Sequence, residues 1–188
     1  MVDNEHLTIS EGSGRKSFAS ILELLKQSKT SYQDVIHNVQ AMEYILGLGC
    51  QKLSEIRNES LNAGGLVVAS SVKHAKQVQK ILAEKFGQSA ALVTYHHEDP
   101  QSEIKAYQTG MTQWIVSVGM ISEGTDIPRL QVCCHISSVK TELYFRQVLG
   151  RILRVNESPN QQAWLYTFAE QNLIAVSYTH LRAHETTV

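Results

Sequence analysis

Between Gly64 and Phe168, short apolar runs alternate with stretches of helical periodicity, and the connections between them are brief. Leu66-Val67-Val68-Ala69 follows the turn Gly64-Gly65 and is wholly apolar, as a strand buried on both faces must be. Ser70-Ser71 sits where a helix cap belongs, and Val78, Ile81 and Leu82 mark one face of a helix from Val72 to about Phe86, with Gly87 as its C′ residue. Ala91-Leu92-Val93-Thr94-Tyr95 reads as the next strand, and Pro100 opens a helix that reaches about Thr109 and ends at Gly110. Gln113 to Val118, Gln131 to Ile136 and Ala163 to Phe168 are further strands, with a helix predicted over Thr141 to Leu153. Strands joined by helical crossovers run parallel. The fold class is therefore α/β, a doubly wound parallel sheet with helices on both faces and right-handed crossovers.

The residues before this pattern differ in character. Met1 to about Arg15 is polar, with Gly12-Ser13-Gly14 in its middle, and reads as a loose lead-in. Phe18, Ile21, Leu22 and Leu25 recur at helical spacing from Ser17 to about Lys26. Ser31 has the features of an N-cap for a second helix, whose stripe is Val35, Val39, Met42, Ile45 and Leu46 and whose end falls near Gly47 and Gly49. A third helix is expected over Gln51 to Leu61, with Leu53 and Ile56 facing inward. These pieces hold no catalytic constellation and are expected to form a helical linker packed on the sheet. The expected division is 1–62 for lead-in and linker, 63–175 for the α/β domain, and 176–188 for a tail. The tail sequence Val176 to Thr186 has the look of translated sequencing adapter and is expected to be non-native. Truncation on both sides is the corresponding expectation.

A chain of 188 residues is long enough for one domain with a good core. Its formal net charge of −1 gives no general attraction to nucleic acid, so any such contact must come from a local groove or a partner. Cys50, Cys133 and Cys134 fit no disulfide framework and are expected to be reduced thiols in a cytoplasmic protein. No apolar run approaches the ~18 residues needed to span a membrane. Gly12-Ser13-Gly14-Arg15-Lys16-Ser17 is not a phosphate loop, because Arg15 separates Gly14 from Lys16 and no apolar strand precedes it. His96-His97-Glu98-Asp99 lacks further ligands at metal-site spacing and reads as a polar loop.

Two stretches carry chemistry. Gln147-Val148-Leu149-Gly150-Arg151-Ile152-Leu153-Arg154 is a Q-x-x-G-R-x-x-R octapeptide, and on a helix Arg151 and Arg154 would share one face. Upstream lies Ser117 to Pro128, which contains Ser122-Glu123-Gly124-Thr125-Asp126-Ile127-Pro128. With Gly65 to Ser71 and His74-Ala75, these segments resemble motifs VI, V and IV of superfamily 2 helicases, on the second of two RecA-like lobes. The resemblance runs from about Gly64 to Phe168. It is nearest to bacterial DEAD/DEAH-type helicases, in the branch that includes the translocating subunits of type I restriction enzymes.

That resemblance implies a RecA-like fold and a role as the second motor lobe of an ATP-dependent helicase or DNA translocase. It implies that Arg151 and Arg154 act as arginine fingers on the γ-phosphate and that Gln147 hydrogen-bonds that phosphate or the attacking water. Asp126 would accept from the ribose hydroxyl, while Gly124 and Gly150 would leave room for the nucleotide. Ser70, Ser71 and Ser117 would meet the backbone of a DNA or RNA strand. The cofactor implied is ATP with Mg²⁺, and the Mg²⁺ ligands belong to a first lobe in the same polypeptide. The chain alone is expected to be inactive. Val118 departs from the DEAD-box pattern, which has a Thr there. The alternative is a non-catalytic module that binds nucleic acid or a protein partner.

Overall fold

The computed structural model describes residues 7–11, 14–18, 32–94, 99–118, 127–137 and 163–168. Five strands form one sheet: β3 (Gly64–Ala69), β4 (Ala90–Val93), β5 (Trp114–Val118), β6 (Leu130–Ile136) and β7 (Trp164–Thr167). Their order is β4-β5-β3-β6-β7 and every pairing is parallel. All six residues of the central strand β3 are buried, which is why its sequence is an unbroken apolar run. The fold is RecA-like α/β.

Among the described residues, four helices accompany the strands: α1 (Tyr32–His37), α2 (Val39–Arg57), α3 (Val72–Phe86) and α4 (Pro100–Thr109). Strand alternation divides the core. Val67, Trp114, Val116, Val132, Cys134 and Ile136 pack with Met42, Ile45, Leu46 and Leu53 of α2 and with Val78 and Leu82 of α3. Leu66, Val68, Ile115 and Cys133 pack on the other face with Ile104 and Tyr107 of α4. The thiols of Cys50, Cys133 and Cys134 are free and buried. Burial pushes the Cys50 thiol up to about 12 and raises those of Cys133 and Cys134 as well, so none is a thiolate at neutral pH.

The boundaries of α3 and α4 follow their end signals. Ser71 Oγ accepts from the His74 N–H at 3.2 Å, and Gly87 closes α3 in the left-handed region at φ 60°. Asp99 Oδ1 accepts from the Ser102 N–H at 3.1 Å at the start of α4, where Pro100 occupies the first turn.

The N-terminal third departs from expectation. The lead-in is not loose throughout: β1 (Leu7–Glu11) and β2 (Gly14–Phe18) pair antiparallel, with Leu7 opposite Phe18 and Glu11 opposite Gly14. Ser17 and Phe18 thus belong to a strand, and the predicted helix cannot begin at Ser17. Leu7-Thr8-Ile9-Ser10 alternates apolar and polar with the period of a strand, a pattern too short to stand out beside the glycines. The helix over 31–46 and the one over 51–61 are also corrected. A six-residue α1 ends before Asn38, whose Oδ1 accepts from the Ala41 N–H at 3.0 Å, and α2 then runs unbroken through Gly47 and Gly49. Val39 lies on the outer side at 47% exposed, not in the buried stripe. Gly49 is present for contact and not for termination: a Cβ there would stand 2.5 Å from Cys134 Sγ and 3.1 Å from the Trp114 ring.

At the amino-terminal edge of the sheet, Arg129 is 6% exposed. Its Nε donates to Asn62 O at 2.7 Å, its Nη1 to Tyr107 O at 2.6 Å and Gly110 O at 2.7 Å, and its Nη2 to Thr112 O at 2.8 Å. The guanidinium also stacks 4.5 Å from the Tyr107 ring centre. One side chain thereby joins the connection before β3, the end of α4 and the start of β5, and holds the edge opposite the functional segments.

Candidate functional site

Because all five strands are parallel, their carboxyl ends share one edge. From β3 the chain passes through α3 to β4 on one side, while from β6 it passes to β7 on the other. Crossover direction reverses between β3 and β6, the place where open α/β sheets bind ligands. The three segments singled out in the sequence begin at this edge. Ser70-Ser71 follows β3, the connection with Gly124 and Asp126 follows β5, and the connection with Gln147, Gly150, Arg151 and Arg154 follows β6. Those last six residues lie outside the described residues, as do Ser31, His96, His97, Glu98, the helix predicted over 141–153 and the tail from 176.

One step inside the edge, the register sets Ser117 of β5 beside Val68 of β3, Val68 beside His135 of β6, and His135 beside Thr167 of β7. Three of these four side chains are polar, on the face that α4 covers in part. Ser117 is 1% exposed, so it presents no hydroxyl to solvent. His135 is fully buried, and burial lowers its pKa to about 4, which keeps the ring neutral at physiological pH.

The two remaining candidates are described in full. Ser71 is exposed and caps α3. Ser70 is half-buried and bonded to histidines on both sides: Oγ is 2.9 Å from His74 Nδ1 and 3.3 Å from His37 Nε2. The capping role that the sequence spread over both serines therefore belongs to Ser71. His74 is 1% exposed, and its Nε2 faces Met42 Sδ at 3.1 Å. Burial first, and the neighbouring His37 second, lower its pKa to about 4, opposed by a hydrogen bond to the Ile36 backbone. The His37 and His74 rings stand 4.5 Å apart at an angle of 52°. The spacing Ser70–His74, four residues across a helix start, was visible in the sequence. His37 was not, because its contact bridges 33 residues of chain.

Among the described residues, no group of three His, Cys, Asp or Glu side chains is placed to hold a metal ion, and no helix is long and apolar enough to cross a membrane.

Comparison with known proteins agrees with the architecture. Residues 49–156 match the model of the helicase conserved C-terminal domain. An uncharacterised protein of Mycobacterium leprae is 29% identical over 136 residues, which cover 72% of this chain and 23% of that protein. An uncharacterised protein of Mycobacterium tuberculosis is 26% identical over 136 residues, covering 72% of this chain and 22% of its own length. The chain thus spans less than a quarter of these curated relatives. Among solved structures, domain 2 of the DEAD-box helicase Mss116p bound to an RNA duplex superposes with a TM-score of 0.52 at 14% identity, covering 68% of this chain and 50% of that one. The E. coli DEAD-box protein SrmB, bound to the regulator of ribonuclease activity A, gives 0.50 at 13% identity, covering 70% and 78%. At such identities the structures speak for the fold, and the family match speaks for descent. The chain belongs to the helicase conserved C-terminal domain family.

Proposed function

We propose that this domain is the second motor lobe of an ATP-dependent helicase or translocase that acts on a nucleic-acid strand. The supporting observation is the common origin of three segments at the carboxyl edge of a parallel sheet, at the reversal between β3 and β6, in a chain of this family. That edge suits a nucleotide shared with a first lobe, since the connections there carry Gly124, Asp126 and the Gln147–Arg154 octapeptide. Arg151 and Arg154 set guanidinium charge against the γ-phosphate, and Gln147 hydrogen-bonds the same group or the attacking water. Asp126 accepts from the ribose hydroxyl, and Gly124 and Gly150 let the backbone come close. Bound ATP supplies the free energy of phosphoryl transfer, with its Mg²⁺ held by carboxylates of the first lobe.

The strand side belongs to the β3–α3 connection, where exposed Ser71 stands at the N-terminus of a 15-residue helix. That Mss116p domain 2 was seen on an RNA duplex supports a nucleic-acid partner of some kind. Within the family we place the chain nearest the DNA-translocating subunits of type I restriction enzymes, on its motif V and VI sequences.

The isolated chain should hydrolyse ATP at no more than background, because the phosphate loop and metal carboxylates are absent from its sequence. A kcat of about 1 s⁻¹ or above, in the ordinary enzyme range, would contradict a half-site. Strand binding with no dependence on Arg151 in the two-lobe protein would favour the non-catalytic module instead.

A further inference from the structure

The helix α3 holds four lysines, Lys73, Lys76, Lys80 and Lys85, and one acid, Glu84, a formal charge of +3 in a chain whose total is −1. Lys85 reaches across to Glu43 of α2, so its charge is answered within the fold. Lys80 lies 3.9 Å from Glu84, but the two side chains are 69% and 68% exposed, and such a pair is worth little. Lys73 and Lys76 are exposed, and among the described residues neither has a carboxylate partner. At 3.6 residues per turn, Lys73, Lys76 and Lys80 fall within about 60° of one another on the helix surface, opposite the buried Ala75, Val78 and Leu82. The helix carries the chain from the carboxyl end of β3 back to the amino end of β4. The row of lysines therefore starts beside the carboxyl edge and leads away from it over the outside of the domain.

A helix face arranged for stability alone would look different. Lys73 with Lys76, and Lys76 with Lys80, are like charges three and four residues apart, and each pair is mildly destabilising. Lys73 stands in the first turn, where the helix dipole is positive, and no acidic residue accompanies it there. Elsewhere the charges are placed in the stabilising sense: α4 has Glu103 in its first turn, and Lys52 of α2 pairs with Glu55. A local conflict in a helix whose cap, core face and end otherwise agree is the mark of residues kept for binding at some cost in stability. Their chemistry suits a polyanion. The three lysines spread over about 10 Å of helix, a length along which one strand of a nucleic-acid helix presents about three phosphates.

We propose that Lys73, Lys76 and Lys80 form a phosphate track on the outer face of α3, which holds nucleic acid beyond the carboxyl edge of the sheet. The inference rests on the reading of this domain as one that acts on a strand. It adds a contact on the body of the helix, separate from the serines that precede it. It also accounts for how a chain without net positive charge attracts a polyanion, since the charge is concentrated on one helix face.

The test is equilibrium binding of fluorescein-labelled oligodeoxythymidine to the 188-residue chain over a range of salt concentrations. The variants are the triple change Lys73→Gln, Lys76→Gln and Lys80→Gln, the same three positions changed to Arg, and Lys105→Gln. Lys105 is exposed on α4, which packs on the other face of the sheet. Each lysine on a phosphate of a single strand adds about 0.7 to the slope of log affinity against log salt, so the glutamine triple variant should lose about 2 from that slope. Near 0.1 M salt this corresponds to binding about a hundredfold weaker. The arginine variant, which keeps the charge, should keep the slope, and Lys105→Gln should leave it unchanged. The melting temperature of the glutamine variant should stay level or rise, because the like-charge contacts are gone. Weaker binding with a lowered melting temperature would make the lysines structural and overturn the inference. An unchanged slope in the glutamine variant, or a per-residue loss from Lys105→Gln as large as that from the row, would overturn it too and leave the strand reading intact. A wild-type chain with no affinity for the oligonucleotide would overturn both.

Discussion

Among the described residues, Arg129 is bonded to four backbone carbonyls and an aromatic face and to no carboxylate. Lysine has the charge but not the fork, so Arg129→Lys should lower stability by about 3 kcal/mol, the scale of one or two charge-assisted bonds. Urea unfolding checks this, and a loss below about 1 kcal/mol would mean that water takes over the carbonyls. Gly47 and Gly49 give a sharper contrast. Among the described residues, a Cβ at Gly47 meets only the Phe86 ring at 3.5 Å, so Gly47→Ala should stabilise α2 by up to about 1 kcal/mol. Gly49→Ala drives a methyl into Cys134 and should cost about 1–3 kcal/mol despite the same gain in helix propensity. Thermal melts of the two variants should therefore move in opposite directions. His74 and His135 both have pKa values lowered to about 4 by burial, against an ordinary value of 6.5. Unfolding restores their affinity for protons. Their contribution is complete above pH 6.5 and is lost as pH falls toward 4, with a slope approaching about 1.4 kcal/mol per pH unit for each. Denaturant midpoints measured at pH 7.5 and 5.5 should show the drop, and a flat profile would contradict neutral burial.

At the scale of elements, α3 was legible in the sequence to the residue, because its cap, apolar face and terminal glycine agree. Gly87→Ala would place a Cβ at φ 60° and should cost about 1 kcal/mol; Ser71→Ala should cost a similar amount through the lost cap. Calorimetry on each variant tests both. The strands of the sheet were legible for a related reason, since burial on both faces leaves an unbroken apolar run. The α2 helix was not. Glycine in a sequence signals a stop by its backbone freedom, whereas Gly49 sits mid-helix because the sheet presses against it, a fact of packing that no local pattern carries. The β1–β2 pair was missed because five-residue strands leave little periodicity to read. The contacts of Ser70 were half visible: His74 is local, while His37 arrives through the fold.

For the whole molecule, the parallel sheet, its strand order and the family match agree on a helicase C-terminal domain. The proposed function goes further, through the octapeptide. If its arginines act, as proposed, on a nucleotide bound to another lobe, they have no chemistry until that second surface arrives, and the domain's stability and its activity are separable properties. Arg151 and Arg154 are accordingly expected to be neutral for folding of this chain. Their weight should appear only when both lobes are present. The most direct test is strand-stimulated ATP hydrolysis by the protein with its first lobe attached, wild type against Arg151→Ala and Arg154→Ala. A loss of about a thousandfold in kcat for each, the scale of an arginine finger, is the predicted result. Hydrolysis indifferent to both substitutions would contradict the account and leave the octapeptide a structural element.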